Sequence, residues 1–133
     1  MTEEVPEDRR AAIADDPFCE LVGIELVELG PGTAVTQLEL TDRHVNFHGI
    51  PHGGAINALA DAAFAAASNA AGTTAFALET NISFLEAVDV GTTLTATAGE
   101  RHVRARTGSY EIAVTDDAGD PVATFRGRVY RPD

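Results

Sequence analysis

The chain has 133 residues, of which 44% are hydrophobic, enough for one domain with a proper core. Its 21 acidic residues outnumber nine basic ones, and the net charge of −12 argues against binding nucleic acid phosphates or anionic membranes. We find no uniform apolar run for a membrane span and no signal peptide, so we expect a cytoplasmic protein.

The acidic composition also points to the surroundings in which the protein works. All nine basic residues are arginine, and lysine is absent. Acidic surfaces without lysine are typical of proteins from salt-loving organisms, because salt screens the repulsion between carboxylates. We expect a high-salt cytoplasm, with an acidic protein from a GC-rich genome as the alternative. The single cysteine, Cys19, is expected to be a small buried hydrophobe.

The first part of the chain predicts a helix and then a hairpin. Residues 3–16 are charged and read as a short helix that Pro17 ends, within an N-terminal helical extension over residues 1–19. Residues 24–29 and 33–40 alternate apolar and polar side chains on either side of a Gly-Pro-Gly turn, which predicts two strands.

A long apolar helix dominates the middle of the sequence. A polar loop, residues 41–52, precedes a helix over residues 54–71, with Gly72 as its expected C-cap. Four further strands are predicted at 74–85, 92–105, 108–116 and 122–130. Since the helix is apolar on nearly all sides, a curled antiparallel sheet of about six strands must wrap it. The expected fold is α+β, of the hotdog type, in a single domain over residues 1–133.

The first turns of this helix contain the residues best suited to catalysis. Gly53 and Gly54 leave backbone N–H groups uncovered at a helix N-terminus, where the dipole favours an oxyanion. About two turns further on, Asp61 is an isolated carboxylate that is costly to bury without a partner or a task. An acid combined with helix-start donors indicates acyl transfer or hydrolysis.

The chain resembles the hotdog-fold acyl-CoA thioesterases of the phenylacetate-degradation type over about residues 20–130. The matching residues are Asn46, His52-Gly53-Gly54, Leu59-Ala60-Asp61, Ala62, Phe64, Ala65, Asn69, Asn81–Leu85, Gly91–Ala96, Arg106–Tyr110 and Val122–Gly127. The resemblance implies hydrolysis of aryl or short- to medium-chain acyl-CoA. It implies no cofactor, because coenzyme A is part of the substrate.

The resemblance also assigns roles to four residues. The family's matching aspartate implies that Asp61 is the catalytic carboxylate, either a nucleophile on the thioester carbonyl or a general base on water. Gly53 would hold the oxyanion, Asn46 would position water or the thioester, and His52 would fix the loop or contact the substrate. A purely structural role in the loop is the alternative for Gly53, Asn46 and His52, and an ordinary aspartate on the helix surface is the alternative for Asp61.

The spacing of the two central residues bears on the assembly. Gly53 and Asp61 are eight residues apart, which is roughly 12 Å along a helix. One thioester carbon cannot contact both, so if both act, they come from different subunits. The resemblance likewise implies a homodimer with two sites across its interface, and a dimer of dimers is a further expectation.

Other candidate substrate-binding residues surround this pair. They are Gly54, Asn57, Phe64, Ser68, Arg104 and Arg106. Asn57, Phe64 and Ser68 share one helix face with Asp61 and are expected to line the cleft, although core packing is the alternative for Phe64 and Ser68. Arg104 and Arg106 belong to a late arginine cluster suited to the phosphates of coenzyme A. Charge balance on the surface is the alternative for both.

Three histidines are spaced by four residues, at His44, His48 and His52. Gly49 and Pro51 break any helix there, so the spacing does not put the imidazoles on one face, and we expect no metal site.

Two other function classes stay open. A non-catalytic acyl-CoA or fatty-acid binding module would not need the costly Asp61. A hotdog hydratase or dehydratase would carry a differently spaced histidine and acid, which we do not find.

Overall fold

A long helix and a six-stranded sheet make up most of the computed structural model, which describes residues 5–132. The elements are α1 (Glu7–Ala14), α2 (Pro17–Val22), β1 (Glu25–Gly30), β2 (Thr33–Glu39), a 3-10 turn (Asp42–His44), α3 (Gly53–Asn69), β3 (Phe76–Phe84), β4 (Thr93–Val103), β5 (Thr107–Thr115) and β6 (Pro121–Tyr130). The predicted order of six strands and one long helix is confirmed.

The sheet curls around α3. Its strand order is β1-β2-β4-β5-β6-β3, and all neighbouring strands are antiparallel. One face of α3 is fully buried against the sheet, including Leu59, Ala63 and Phe64. Leu94 and Phe125 meet it from the strands. This is the hotdog arrangement expected from the sequence, and it confirms the fold class.

The N-terminal helices differ from the prediction. α1 spans Glu7–Ala14, shorter than the predicted 3–16, of which residues 3 and 4 lie outside the described part. Pro17 does not end a helix but begins α2, because a proline lacks the N–H that the first turn leaves unbonded anyway. The Asp16 carboxylate caps α2 by accepting from the Cys19 N–H at 3.0 Å.

The C-terminal end of α3 also differs from the prediction. The helix ends at Asn69 with Ala70 as C-cap, so Gly72 is not the cap; it lies in the following turn with a φ of +96°. The Asn69 side chain accepts from the Ala75 N–H at 2.9 Å and donates to the Ala65 carbonyl at 2.9 Å. These bonds tie the helix end to the chain that leads into β3.

No helix among residues 5–132 is long and apolar enough to cross a membrane.

Candidate active site

The first turn of α3 holds an unused backbone donor. His52 is the N-cap residue, and its Nδ1 accepts from the Gly54 N–H at 2.7 Å, while its carbonyl accepts from the Ala55 N–H at 3.0 Å. Gly53 is the first helical residue, so its N–H has no acceptor inside the helix. No hydrogen bond within the described chain uses it. Gly53 is therefore the donor free to bind an oxyanion, and Gly54 is occupied by His52.

Close neighbours limit the space beside both glycines. A Cβ at Gly53 would lie 3.1 Å from the Phe84 ring, and one at Gly54 would lie 2.8 Å from His52 Nδ1. The second contact is closer than real Cβ atoms approach, so only glycine lets the His52 ring fold over the helix start.

Asn46 shapes the loop before the helix. Its Oδ1 accepts from the His48 N–H at 2.9 Å and from the Ile50 N–H at 3.4 Å, and its backbone N–H donates to the Ile50 carbonyl at 2.8 Å. The side chain thus closes a tight turn through its own backbone neighbours. The Asn46 Nδ2 takes part in none of the hydrogen bonds found between residues 5 and 132.

The three histidines of this region point to different partners. His44 Nε2 lies 2.6 Å from the Val22 carbonyl, the His52 ring caps Gly54, and the His48 ring lies tilted against the Phe47 ring, with centroids 4.2 Å apart. Within the described residues, no three His, Cys, Asp or Glu side chains come together as metal ligands.

Asp61 lies on an open stripe of α3. The stripe consists of the exposed Gly54, Asp61 and Ala65 and the half-buried Asn57 and Ala58. The sheet therefore does not cover the helix on all sides as expected, and in the single chain Asp61 is at the surface. Partial burial nevertheless raises the pKa of Asp61, and the nearby Asp16 carboxylate raises it further.

Four candidate residues share one face of α3, and two of them are buried in the core. Phe64 and Ser68 are both only 1% exposed. The Phe64 ring packs beside Tyr110, with ring centroids 5.8 Å apart, and the Ser68 hydroxyl donates to the Ala65 carbonyl at 3.2 Å. The structure thus gives both residues a packing role, leaving only Asn57 and Asp61 of that face accessible to a substrate.

Arg104 and Arg106 lie in the exposed β4–β5 turn. Neither forms an ion pair within the described chain. The Arg106 carbonyl accepts from the Arg131 N–H at 2.7 Å, and Arg131 Nη2 donates to the Ser68 carbonyl at 3.0 Å. The turn therefore lies near the C-terminal end of α3, beyond Asp61.

Other arginines of the late cluster already have partners. Arg101 pairs with Glu111 at 3.2 Å, and Arg128 pairs with Glu79 at 3.1 Å. Arg131 is buried and its Nη2 also donates to the Tyr110 hydroxyl at 3.0 Å.

Sequence reasoning missed the contribution of α2. This helix separates two hollows beside α3: a groove of about 870 Å³ next to the 3-10 turn, and a cavity of about 350 Å³ next to α1. Phe18 and Leu21 line the groove, and Cys19 lines the cavity. A six-residue helix is too short for its apolar periodicity to be recognised in a sequence.

Comparisons with known proteins show which family this chain resembles. A family model described as "Thioesterase superfamily" matches residues 48–123. The acyl-coenzyme A thioesterase PaaI of Escherichia coli K12 is 36% identical over 131 residues, covering 98% of this chain and 94% of the relative. The 1,4-dihydroxy-2-naphthoyl-CoA hydrolase of Listeria monocytogenes is 38% identical over 101 residues, covering 74% and 81%. The solved structure of the E. coli PaaI protein from the phenylacetic acid degradation operon has a TM-score of 0.88 at 37% identity, covering 93% and 90%.

Proposed function

The chain belongs to the thioesterase superfamily, and from that premise we propose that it hydrolyses acyl-CoA thioesters to a carboxylic acid and free CoA. Two of the relatives it resembles are named as an acyl-CoA thioesterase and a 1,4-dihydroxy-2-naphthoyl-CoA hydrolase. The observation that carries the proposal is an unused N–H at Gly53 on the same helix as an accessible carboxylate, Asp61.

In the proposed reaction, the thioester oxygen accepts a hydrogen bond from the Gly53 N–H, and the helix dipole stabilises the oxyanion. In one route, Asp61 removes a proton from water as the water oxygen attacks the carbonyl carbon; the tetrahedral intermediate then breaks its C–S bond, and the CoA thiolate takes up that proton from Asp61. In the other route, the Asp61 carboxylate attacks that carbon directly. Loss of the CoA thiolate, which is protonated by water, then leaves a mixed anhydride on Asp61, and hydrolysis of the anhydride releases the acid and restores the carboxylate. The raised pKa of Asp61 supports a role as base, because base strength rises with pKa. The scheme uses no cofactor.

Asn46 and His52 act in this scheme as positioning residues for the loop and the helix start. The hydrogen bonds of Asn46 with the loop backbone and of His52 with Gly54 support that role. The two N–H groups on the unused Nδ2 of Asn46 are left to donate to the thioester or the attacking water.

Each site is composed of two subunits. Gly53 and Asp61 lie roughly 12 Å apart on one helix, but Asn57 is their midpoint in sequence. A two-fold axis at Asn57 between antiparallel α3 helices would therefore bring Gly53 opposite Asp61 of the partner subunit, and the reverse. The open stripe of α3, on which Asp61 and the half-buried Asn57 lie, supports this packing.

The edge strand β3 supports the same dimer. β3 is the last strand of the sheet and presents the exposed side chains of Phe76, Leu78 and Phe84. Unpaired edge strands with exposed apolar side chains invite pairing with another chain. Phe84 also lies against Gly53, so pairing through β3 would join the interface to the site. A dimer of dimers is a further prediction from the family resemblance.

Arg104 and Arg106 are the proposed contacts for the phosphates of coenzyme A. Their exposure, their lack of ion pairs within residues 5–132 and their location beyond Asp61 support this assignment. Guanidinium groups also suit phosphate oxygens.

The direct test is release of free thiol from a panel of aryl and aliphatic acyl-CoAs. Asp61→Asn should lower kcat by about 10²- to 10⁴-fold, the usual contribution of a general base. Asp120→Asn, an exposed aspartate in the β5–β6 turn, is the matched control and should keep full activity. An active Asp61→Asn enzyme would refute the role of Asp61. Saturable acyl-CoA binding without turnover by the wild type would instead identify a binding module.

A high-salt environment is also proposed, supported by the net charge of −12 and the absence of lysine. Salt screens carboxylate repulsion in the folded state, so the Tm should rise from low salt to molar KCl. Thermal denaturation across a KCl series measures this. A Tm that stays constant would show that the acidic composition is no adaptation to salt.

A further inference from the structure

The loop over residues 41–52 leads into the first turn of α3, and one side chain ties it to the helix before the sheet. His44 Nε2 lies 2.6 Å from the carbonyl oxygen of Val22, the last residue of α2. Within residues 5–132, this is the only hydrogen bond that joins the loop to an element other than α3. The His44 side chain therefore fixes how the loop is held against α2.

The two ring nitrogens of His44 have opposite roles. The Thr41 N–H donates to Nδ1 at 2.9 Å, so Nδ1 acts as an acceptor. A carbonyl oxygen can only accept, so Nε2 carries the proton that it donates to Val22. The Val22 carbonyl is one of those that the C-terminal end of a helix leaves without an intrahelical donor. A neutral imidazole with its proton on Nε2 thus satisfies both the loop and the end of α2.

The end of α2 is a firm point of attachment. The N–H groups of Gly23 and Ile24 both donate to the Cys19 carbonyl, each at 2.8 Å. Val22 packs against the core, and the Ile24 side chain is part of that core. A loop that is bonded to Val22 is therefore bonded to a fixed part of the fold.

Backbone hydrogen bonds connect His44 with the first turn of α3. The His44 carbonyl accepts from the His52 N–H at 2.7 Å, and His52 in turn caps α3 through the Gly54 N–H. His44, His52 and Gly54 also line the same groove. Because Gly53 lies between His52 and Gly54 in the chain, the direction of its unused N–H depends on where His52 is held.

We infer that His44 is a positioning residue of the proposed thioesterase, which keeps the Gly53 N–H aimed at the oxyanion through its bond to the end of α2. This inference rests on the proposed function. An oxyanion donor is effective when it lies about 2.7–3.1 Å from the atom on which charge develops. A misplacement of about 1 Å can lower a rate about 10²-fold, even when the cause lies away from the reacting atoms. The end of α2 is thereby part of the support of the active site.

Two amide side chains can separate the two bonds of His44. Asparagine places an oxygen near the position of Nδ1 but does not reach the Val22 carbonyl, whereas glutamine places an N–H group near the position of Nε2. His44→Gln should therefore keep the bond to α2, and His44→Asn should keep only the bond to Thr41. His102→Asn, a substitution of an exposed histidine on β4, is the matched control.

Each variant is measured in two ways. kcat and KM are determined with the acyl-CoA that the wild type hydrolyses fastest, and circular dichroism checks the fold. Amide proton–nitrogen NMR spectra are recorded without substrate, because the resonance of the Gly54 N–H, which donates to the His52 ring, reports the geometry of the first turn of α3.

His44→Asn should lower kcat by about tenfold, less than the roughly 10²-fold effect of a full 1 Å displacement, and should shift the Gly54 amide resonance. KM should change much less, because the donor acts on the oxyanion rather than on the bound substrate. His44→Gln should restore both the rate and the resonance to near those of the wild type and of His102→Asn.

Equal losses in His44→Gln and His44→Asn, or full activity in both, would overturn the inference while leaving the thioesterase proposal intact. A loss in His44→Gln alone would also overturn it, since the bond to Thr41 and not the bond to α2 would then matter. A wild type that hydrolyses no acyl-CoA would overturn the proposed function and the catalytic role of His44 with it, whereas the spectra would still show whether His44 holds the first turn of α3.

Discussion

At the N-terminus of α3, hydrogen bonds distinguish two adjacent glycines that residue type alone does not distinguish. The Gly54 N–H is bonded to the His52 ring, and the Gly53 N–H is unused. An oxyanion donor must be free in the resting enzyme, so the structure favours Gly53. The sequence could indicate a helix start with open donors, but the tautomer and direction of the His52 ring decide which donor is open.

Proline provides a test of that donor, because it removes the N–H yet suits the first helical position. His52 has a φ of −74° and a ψ of 133°, a backbone that tolerates a following proline. Gly53→Pro should lower kcat by about 10²- to 10³-fold, the usual cost of losing one oxyanion donor.

Gly53→Ala is the matched control. It adds a Cβ at 3.1 Å from the Phe84 ring, as proline does, but keeps the N–H. Steady-state kinetics should find the alanine variant far more active than the proline variant. Equal losses in both would show that the space beside Phe84 matters and the donor does not.

The carboxylate of Asp16 provides a second residue-level test. Asp61 has to be deprotonated to act, so kcat/KM rises as pH increases through its pKa. Asp16→Asn removes a nearby negative charge, which lowers the pKa of Asp61 and should move the acid limb of the profile to lower pH. Burial remains the larger cause, so the limb should move only part of the way to that of an ordinary aspartate.

The substitution is conservative for the fold, because asparagine also caps helices and can accept from the Cys19 N–H. Asp120→Asn serves as the control and should leave the profile unchanged. A pH profile of kcat/KM that is identical in Asp16→Asn and wild type would mean that the two carboxyls do not interact in the working enzyme.

At the scale of elements, the position of α3 against the sheet depends on a close approach between Phe64 and Gly127. A Cβ at Gly127 in β6 would lie 2.5 Å from the Phe64 ring, which is surrounded by Tyr110 and Phe125 and has no room to move away. Gly127→Ala should therefore lower the free energy of unfolding by about 1–3 kcal/mol, the usual cost of overpacking a core.

Urea denaturation measures this change, with Gly99→Ala in β4 as the control. A Cβ at Gly99 meets no atom within 4 Å, so alanine there should be neutral or stabilise by less than about 1 kcal/mol. If both alanine variants unfold at the wild-type midpoint, the position of α3 does not depend on the close approach of Phe64 to Gly127.

The elements could be predicted wherever periodicity was long enough. Alternation identified the strands, and the run of small apolar residues identified α3. The sequence does not predict α2, because the helix is only six residues long and Pro17 can mark the end of one helix as well as the start of the next. The helical wheel gave Phe64 and Ser68 the correct angle relative to Asp61, but the boundary between core and open stripe depends on how far the sheet curls. That curl is a property of the whole sheet.

At the scale of the whole molecule, the open stripe of α3 and the apolar edge of β3 are both exposed to solvent in the single chain. The proposed dimer covers both, and it explains why Asp61 is exposed although most of its helix is apolar. The spacing of Gly53 and Asp61 already indicated a shared site in the sequence. The location of the second surface, β3, required the strand order, because β3 follows α3 in the chain but pairs with β6 at the sheet edge.

Subunit complementation tests the shared site most directly. Gly53→Pro and Asp61→Asn, each inactive alone, are unfolded together, refolded as a mixture and assayed for thiol release. Half of the randomly formed dimers would be mixed, and one of the two sites in each would combine an intact Gly53 with an intact Asp61 of the partner subunit. The mixture should therefore recover about a quarter of wild-type activity. A mixture as inactive as either variant alone would contradict a site built from two subunits.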